Sequence, residues 1–225
     1  MNIANEHWDA SSSVFPCVPN TKKPITSSGY KDASNDPDIV QQWWGRTPSA
    51  NIGLPTGSTN NIVVVDVDVK NGADGLNSLQ QLQDDVGKFD TYTVVTPSGG
   101  YHYYFKHPGM PVKNRVNLRN GIDIRGDGGY VLAVGSVIDN KPYTAIDPSV
   151  EVSQLPQKLY EILIDNVPAN DANYRLSIKA AKYEVSQGAR NDTLFRWASS
   201  LVMTSPTGDR TMRLWATGLN RRRRT

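Results

Sequence analysis

The stretch NIVVVDVDVKNG, residues 61–72, sets Asp66 and Asp68 one residue apart inside a run of valines. Side chains alternate along a strand, so residues two apart lie on the same side, about 6.5–7 Å from each other. Val63, Val65, Val67 and Val69 then share one face, and Val64, Asp66, Asp68 and Lys70 share the other. Two neighbouring carboxylates repel and are costly to take out of water, so a sheet face holding both needs a compensating positive charge. A divalent cation supplies it, and hard oxygen ligands select Mg²⁺ or Mn²⁺, which commonly sit between carboxylates and phosphates. Standing alone, the pair reads equally as a solvent-exposed strand edge or a turn cap.

Two further stretches carry matching chemistry. In TPSGGYHYYF, residues 96–105, Ser98, Gly99 and Gly100 form a tight turn that leads into a strand bearing His102. Backbone N–H groups of a glycine-containing turn can cradle an anion, and a hydroxyl and an imidazole add donors. Alternation puts His102 with Tyr104, opposite Tyr101, Tyr103 and Phe105. In GIDIRG, residues 121–126, Ile122 and Ile124 face one way while Gly121, Asp123 and Arg125 face the other. Arg125 either pairs with Asp123 or reaches a phosphate through its bidentate fork.

The elements that must position these residues can be read from the surrounding pattern. Residues 62–69 form a strand. DPDIVQQWWGR is a short helix, capped by Asp36 or Asn35, started by Pro37 and carrying Ile39, Val40, Trp43 and Trp44 on its apolar face. DGLNSLQQLQDDV is an amphipathic helix with Leu76, Leu79 and Leu82 at helical spacing. NIGLP, TYTVVT and YHYYF are strands, and NGIDIRG pairs with YVLAVGSVI across GDGG. From Leu155 the pattern turns helical, with a boundary near 165–172. The expected architecture is α/β of the α+β kind: a mixed or antiparallel central sheet with flanking helices over 1–168, followed by a small helical segment over 169–225.

Composition adds the class and the partners. The chain has 225 residues, 38% hydrophobic and 20% charged, as expected of one globular domain with a small annex. A single cysteine, Cys17, excludes an internal disulfide framework and a cysteine-based zinc cluster, which fits a reducing cytosol. No secretory signal opens the sequence and no apolar run reaches bilayer length, so the expectation is a cytoplasmic protein with no membrane partner. The net charge of +2 conceals a division: residues 170–225 hold eleven basic and four acidic residues (+7), leaving −5 for the rest. An acidic body with a basic tail suits a carboxylate metal site joined to a polyanion-binding segment, although Arg221–Arg224 alone also reads as a charged terminus.

The order D-x-D, S-G-G-x-H, then an aspartate between aliphatics followed by arginine, at these intervals, resembles the primase-polymerase domain of the archaeo-eukaryotic primase superfamily. The bacteriophage and plasmid replication type is the nearest kind, and the flanking VFPCVPNTKKPIT, GYKDASNDPDIVQQWWGRTPSANIGLPTGS and GYVLAVGSVI match it too. The resemblance spans about residues 13–150, and this chain stops at Thr225 where relatives usually run on into a longer helical region and often a helicase. It implies an RRM-like catalytic core and a DNA primase and polymerase that transfers a nucleotide from an NTP or dNTP on a single-stranded DNA template, in the host cytoplasm. Asp66, Asp68 and Asp123 would hold two divalent cations, Mg²⁺ or Mn²⁺, roughly 3.5–4 Å apart. Ser98, Gly99, Gly100 and His102 would bind the triphosphate, His102 as a donor to phosphate oxygens. Arg125, Lys22 and Lys23 are further phosphate contacts. Arg175, Lys179, Lys182 and Arg190 of the basic segment would hold template phosphates. Trp197 and Trp215 read as core residues. A metal-dependent nuclease, or a non-catalytic DNA-binding replication-initiation module, are the competing readings.

Overall fold

A computed structural model describes residues 11–70 and 72–165. The basic residues Arg175, Lys179, Lys182 and Arg190, with Trp197 and Trp215, lie outside the described residues. In chain order the elements are β1 (Phe15–Cys17), α1 (Pro37–Arg46), β2 (Asn51–Pro55), β3 (Ile62–Val67), α2 (Gly75–Val86), β4 (Thr93–Val95) and β5 (Tyr101–Lys106). Then come β6 (Arg115–Arg119), β7 (Ile122–Arg125), β8 (Tyr130–Leu132), β9 (Val137–Ile138), β10 (Lys141–Pro142), β11 (Thr144–Ala145), β12 (Ser153–Gln154) and α3 (Gln157–Asp165). The main sheet runs β11-β4-β5-β3-β7-β6, all antiparallel, with β12 parallel to the far end of β5. A second sheet has the order β1-β2-β8, and β9 and β10 form a hairpin. This is the α+β architecture that the sequence pattern implies.

β3 is the middle of the main sheet because it is apolar on both faces over its first half. Val63, Val65 and Val67 are fully buried and turn toward the layer of α2, whose first turn approaches the Val67 side chain. Ile62 and Val64 turn the other way, into a cluster with Phe15, Ile52, Leu54, Val131 and Leu132 of the small sheet. Burial of one such side chain is worth about 1.5–3 kcal/mol, so register here is strongly fixed. A one-residue slip would drive Asp66 into the α2 layer.

The helices follow their caps and stripes with two corrections. Asp36 caps α1 by accepting from the Asp38 N–H at 2.9 Å, with Pro37 at the first position. Trp44 is the buried anchor and Val40 and Trp43 pack on the core, but Ile39 is 39% exposed. In α2, Leu79, Leu82 and Val86 are buried whereas Leu76 is 53% exposed, since the first turn presents Gly75 to the sheet instead.

Two strand expectations also change. β3 ends at Val67, short of residue 69, so Asp68 stands just past the ladder. The stretch after β7 is no hairpin turn: β7 pairs with β3 and β6, while β8 joins β2 in the other sheet. Gly126–Gly129 instead crosses between sheets. Thr56 holds both ends, its Oγ1 donating to the Gly126 carbonyl at 2.7 Å and its N–H to the Gly129 carbonyl at 2.9 Å. Gly126 presses on the Val112 carbonyl so closely that a side chain there would force the backbone apart, and a side chain at Gly129 would displace the Asn114 amide. β6 and the short strands β10 to β12 are not anticipated by the sequence pattern, and the expected strand YVLAVGSVI is split into β8 and β9.

Candidate metal centre and adjoining cavity

The centre is built on cross-strand register. Asp66 of β3 stands directly opposite His102 of β5 on one side and Asp123 of β7 on the other, so the three side chains share one sheet face. Asp68 joins them from beyond the strand end, and ligand oxygens of Asp66, Asp68 and Asp123 all lie within 4.8 Å of one another. Its backbone is fixed where the ladder stops: the Asp68 N–H donates to the Gly121 carbonyl at 2.8 Å. A side chain at Gly75 or Gly121 would overlap the Asp68 carbonyl, and Gly121 adopts φ +74° besides. These two glycines bring the α2 start and the β6–β7 turn against Asp68.

Asp66 and Asp123 are already engaged. Asp66, 5% exposed, accepts from His102 Nε2 at 3.3 Å through Oδ1, and from Arg125 Nη2 at 3.2 Å and Nε at 3.4 Å through Oδ2. Asp123 accepts the Asn117 N–H at 2.8 Å through Oδ1 and Arg125 Nη2 at 2.8 Å through Oδ2. Asn117 reaches it from an irregularity in the β6–β7 pairing, with φ +54°. Burial alone would raise the Asp66 carboxyl, but the His102 hydrogen bond and the charges of His102, Arg125 and Lys22 hold it well below the usual carboxylate range.

His102 is 2% exposed, sandwiched by Tyr143 and Tyr104 at ring-centroid separations of 5.5 and 6.2 Å. An ionised carboxylate only accepts, so Nε2 is the donor toward Asp66, and Nδ1 is buried without a hydrogen-bond partner among the described residues. In this structure the imidazole therefore orients Asp66, and the hydrogen it would offer a phosphate is given to that carboxylate.

Beside the carboxylates opens a cavity of about 260 Å³. Lys22, Asp66, His102, Asn114, Arg125 and the stretch 128–132 line it. Lys22 is carried by an exposed loop tied to the small sheet: the Tyr130 hydroxyl donates to the Lys22 carbonyl at 3.0 Å, and Asn51 Nδ2 to the Thr21 carbonyl at 3.0 Å. Lys23 is exposed and does not line the cavity.

Ser98, Gly99 and Gly100 lie elsewhere. Thr96–Gly99 is a turn closed by the Gly99 N–H to the Thr96 carbonyl at 2.9 Å, with Gly99 at φ +86°. Ser98 Oγ pairs with Thr96 Oγ1 at 3.1 Å. A side chain at Gly100 would overlap the Val67 carbonyl, so the turn packs on the end of β3 where Asp68 emerges. It packs beside the segment that carries Asp68 and does not line the cavity. Sequence reasoning missed Asn114, which lines the cavity while its Oδ1 accepts the Gly126 N–H at 2.8 Å, and the glycine pair behind Asp68. The one signal for the latter is that NG precedes IDIRG and DG precedes LNSL.

A sheet face with three convergent carboxylates beside a cavity flanked by two cations is a frame for phosphoryl chemistry, since all-oxygen donors suit Mg²⁺ or Mn²⁺ and the cations suit an anion. The Prim-Pol family model, bifunctional DNA primase/polymerase, N-terminal, matches residues 4–158, and the chain belongs to that family. Membership implies metal-dependent nucleotidyltransferase-type activity with DNA and nucleotides as substrates. A search of curated proteins found no match. Among the described residues no helix is long and apolar enough to cross a membrane.

Proposed function

We propose that the chain is a template-directed nucleotidyltransferase, a DNA primase and polymerase of phage or plasmid replication acting in the bacterial cytoplasm on NTP or dNTP and a single-stranded DNA template. The observation that carries this reading is the convergence of Asp66 and Asp68, from β3 and its end, with Asp123 of β7, within 4.8 Å, beside a cavity flanked by Lys22 and Arg125. The three carboxylates would hold the divalent cations, which when bound stabilise the attacking and leaving oxygens of an in-line phosphoryl displacement. His102 keeps Asp66 ionised and aimed, and the Asn117 N–H does the same for Asp123. Lys22 and Arg125 receive the polyphosphate. The cavity is smaller than the roughly 300–1,000 Å³ of sites that enclose whole ligands, which suits a polyphosphate tail with sugar and base outside. The turn at Ser98, Gly99 and Gly100 meets phosphate oxygens from the Asp68 side, and Lys23 adds long-range attraction. Residues 169–225, through Arg175, Lys179, Lys182 and Arg190, hold the template by salt-sensitive phosphate contacts.

The test is extension of a labelled primer on a template with Mg²⁺ or Mn²⁺, with and without nucleotides. Longer products that require nucleotide support the reading, and nucleotide-independent shortening would mean a nuclease. Asp68→Ala, which removes a half-buried carboxylate with no apolar packing role, is expected to lower extension by about three orders of magnitude while leaving the fold intact by circular dichroism. Near-normal extension by folded Asp68→Ala protein contradicts the assignment.

A further inference from the structure

Arg125 occupies the oxygens that a cation would need. Asp66 and Asp123 each commit one oxygen to the scaffold, to His102 Nε2 and to the Asn117 N–H. The remaining oxygen of each, Oδ2 in both, is held by the same Arg125 Nη2, at 3.2 and 2.8 Å. A guanidinium and a divalent cation cannot share that position, because like charges at contact distance repel strongly in a site this buried. The Arg125 side chain is 29% exposed, unlike the buried carboxylate it clamps, and it lines the cavity that Lys22 also lines. It therefore has a second place to go, toward the side where an anion would sit.

We propose that Arg125 is a counter-ion relay that couples the two halves of the site. Without a cation its guanidinium clamps Asp66 to Asp123 and supplies the positive charge that the carboxylates require. When a divalent cation takes the Oδ2 atoms, the guanidinium turns into the cavity and becomes a polyphosphate ligand beside Lys22. The polyphosphate site is thus incomplete until the carboxylate site is filled, and by linkage a bound polyphosphate favours cation binding by the same factor. This rests on the reading of the carboxylates as a metal centre and of the cavity as the polyphosphate site. A permanent structural ion pair would hold Asp66 and Asp123 in both states and give the nucleotide nothing.

The test uses the full chain with Mn²⁺ as the metal probe and a non-hydrolysable nucleoside triphosphate as the anion. Arg125→Gln, which keeps a planar polar end without the charge, is expected to bind Mn²⁺ at least about tenfold more tightly than the parent in the absence of nucleotide. At saturating Mn²⁺ the same variant is expected to bind the triphosphate about tenfold more weakly. The two affinities moving in opposite directions is the signature, since loss of a structural pair raises Mn²⁺ affinity but leaves the triphosphate unaffected. Arg125→Lys keeps the charge without the fork that spans two carboxylates, and is expected to fall between on both measures. It also serves if Arg125→Gln does not fold. A Mn²⁺-soaked crystal should show the guanidinium released from both Oδ2 atoms. Retention of that clamp with Mn²⁺ bound, or an unchanged triphosphate affinity in Arg125→Gln, overturns the relay while the metal centre stands. Absence of Mn²⁺ binding to parent and variant alike overturns the metal centre and the relay with it.

Discussion

Among the described residues two aspartate–histidine pairs have nearly equal length, and only one of them belongs to a candidate site. Asp66 and His102 are 3.3 Å apart, and Asp127 and His107 are 3.4 Å apart. In the second pair the aspartate is spent on the backbone: Oδ1 accepts the Ser58 N–H at 2.9 Å, and Oδ2 accepts the Val112 N–H at 2.8 Å as well as His107. His107 in turn accepts the Gly109 N–H at Nδ1, at 3.3 Å. The three bonds of Asp127 tie Ser58, His107 and Val112 to the crossover after β7. Asp66 receives no backbone N–H through its carboxylate in the bonds above; side chains engage it, two other carboxylates stand beside it, and a cavity opens at its edge. An aspartate whose oxygens close loops is a staple. One held among like charges at the edge of a cavity is the candidate site, because bringing carboxylates together costs free energy that a bound cation would offset.

The sharpest way to break that comparison is to make the same change in both pairs. Asp66→Asn preserves shape but removes the charge and turns one of the two accepting oxygens into a donor, so extension should fall by about three orders of magnitude and Mn²⁺ binding should be lost. Asp127→Asn should leave extension per folded molecule at the parent level and lower stability by about 1–3 kcal/mol, read as a shift in urea midpoint, because two backbone donors lose a charged acceptor. An Asp127→Asn protein that folds normally yet fails to extend would mean that the crossover reports directly to the site.

A smaller effect is expected from the glycines that hold Asp68. Gly121→Ala must overcome both the φ of +74° and the overlap with the Asp68 carbonyl, so the turn has to move away from Asp68. Strain of this kind costs about 1–2 kcal/mol. Mn²⁺ affinity should fall about tenfold, with Asp68 displaced, while Asp66, seated inside the ladder, stays in place. An unchanged Mn²⁺ affinity would show that Asp68 does not depend on its backbone anchor.

That contrast also marks how far the sequence could be read. Alternation in residues 62–67 and 122–125 was enough to put Asp66 and Asp123 each on the side away from its aliphatic neighbours, and β-branched runs do not tolerate another phase. Alternation cannot say which strands are neighbours. That β3 lies between β5 and β7, which brings the aspartates face to face, depends on pairings far apart in the chain. The same gap explains the misplaced β8: GDGG looks like a hairpin turn locally, and contacts distant in sequence, from Thr56, Ser58, Val112 and Asn114, hold it where it crosses to the second sheet. The cavity was legible only in part. Lys22 and Arg125 stand out as cations near the motifs, but Asn114 carries no local pattern. The Ser98–Gly100 turn reads as an anion cradle in the sequence, whereas at Gly100 the missing side chain is explained by close packing on Val67.

The least drastic probe of the two pairs is acid. In both Asp66 and Asp127 burial would raise the carboxyl and is overruled, at Asp66 by His102, Arg125 and Lys22, at Asp127 by His107 and the Ser58 and Val112 N–H groups. Both are therefore depressed in the folded protein relative to an unfolded aspartate near 3.9. A depressed group binds its proton more readily when unfolded, so its contribution to stability is fully present above about pH 4 and is lost as pH falls below that. Urea midpoints followed from pH 7 downward should be flat with respect to these two groups until about pH 4 and then decline. Asp127→Asn should make the decline shallower. Mn²⁺ separates the pairs: it binds only where carboxylates are unprotonated, so it should protect the Asp66 face against the fall in pH and leave the contribution of Asp127 unaltered. If Mn²⁺ steepened or erased the part of the decline that Asp127→Asn removes, the two pairs would be one coupled unit, and the distinction between staple and site would fail.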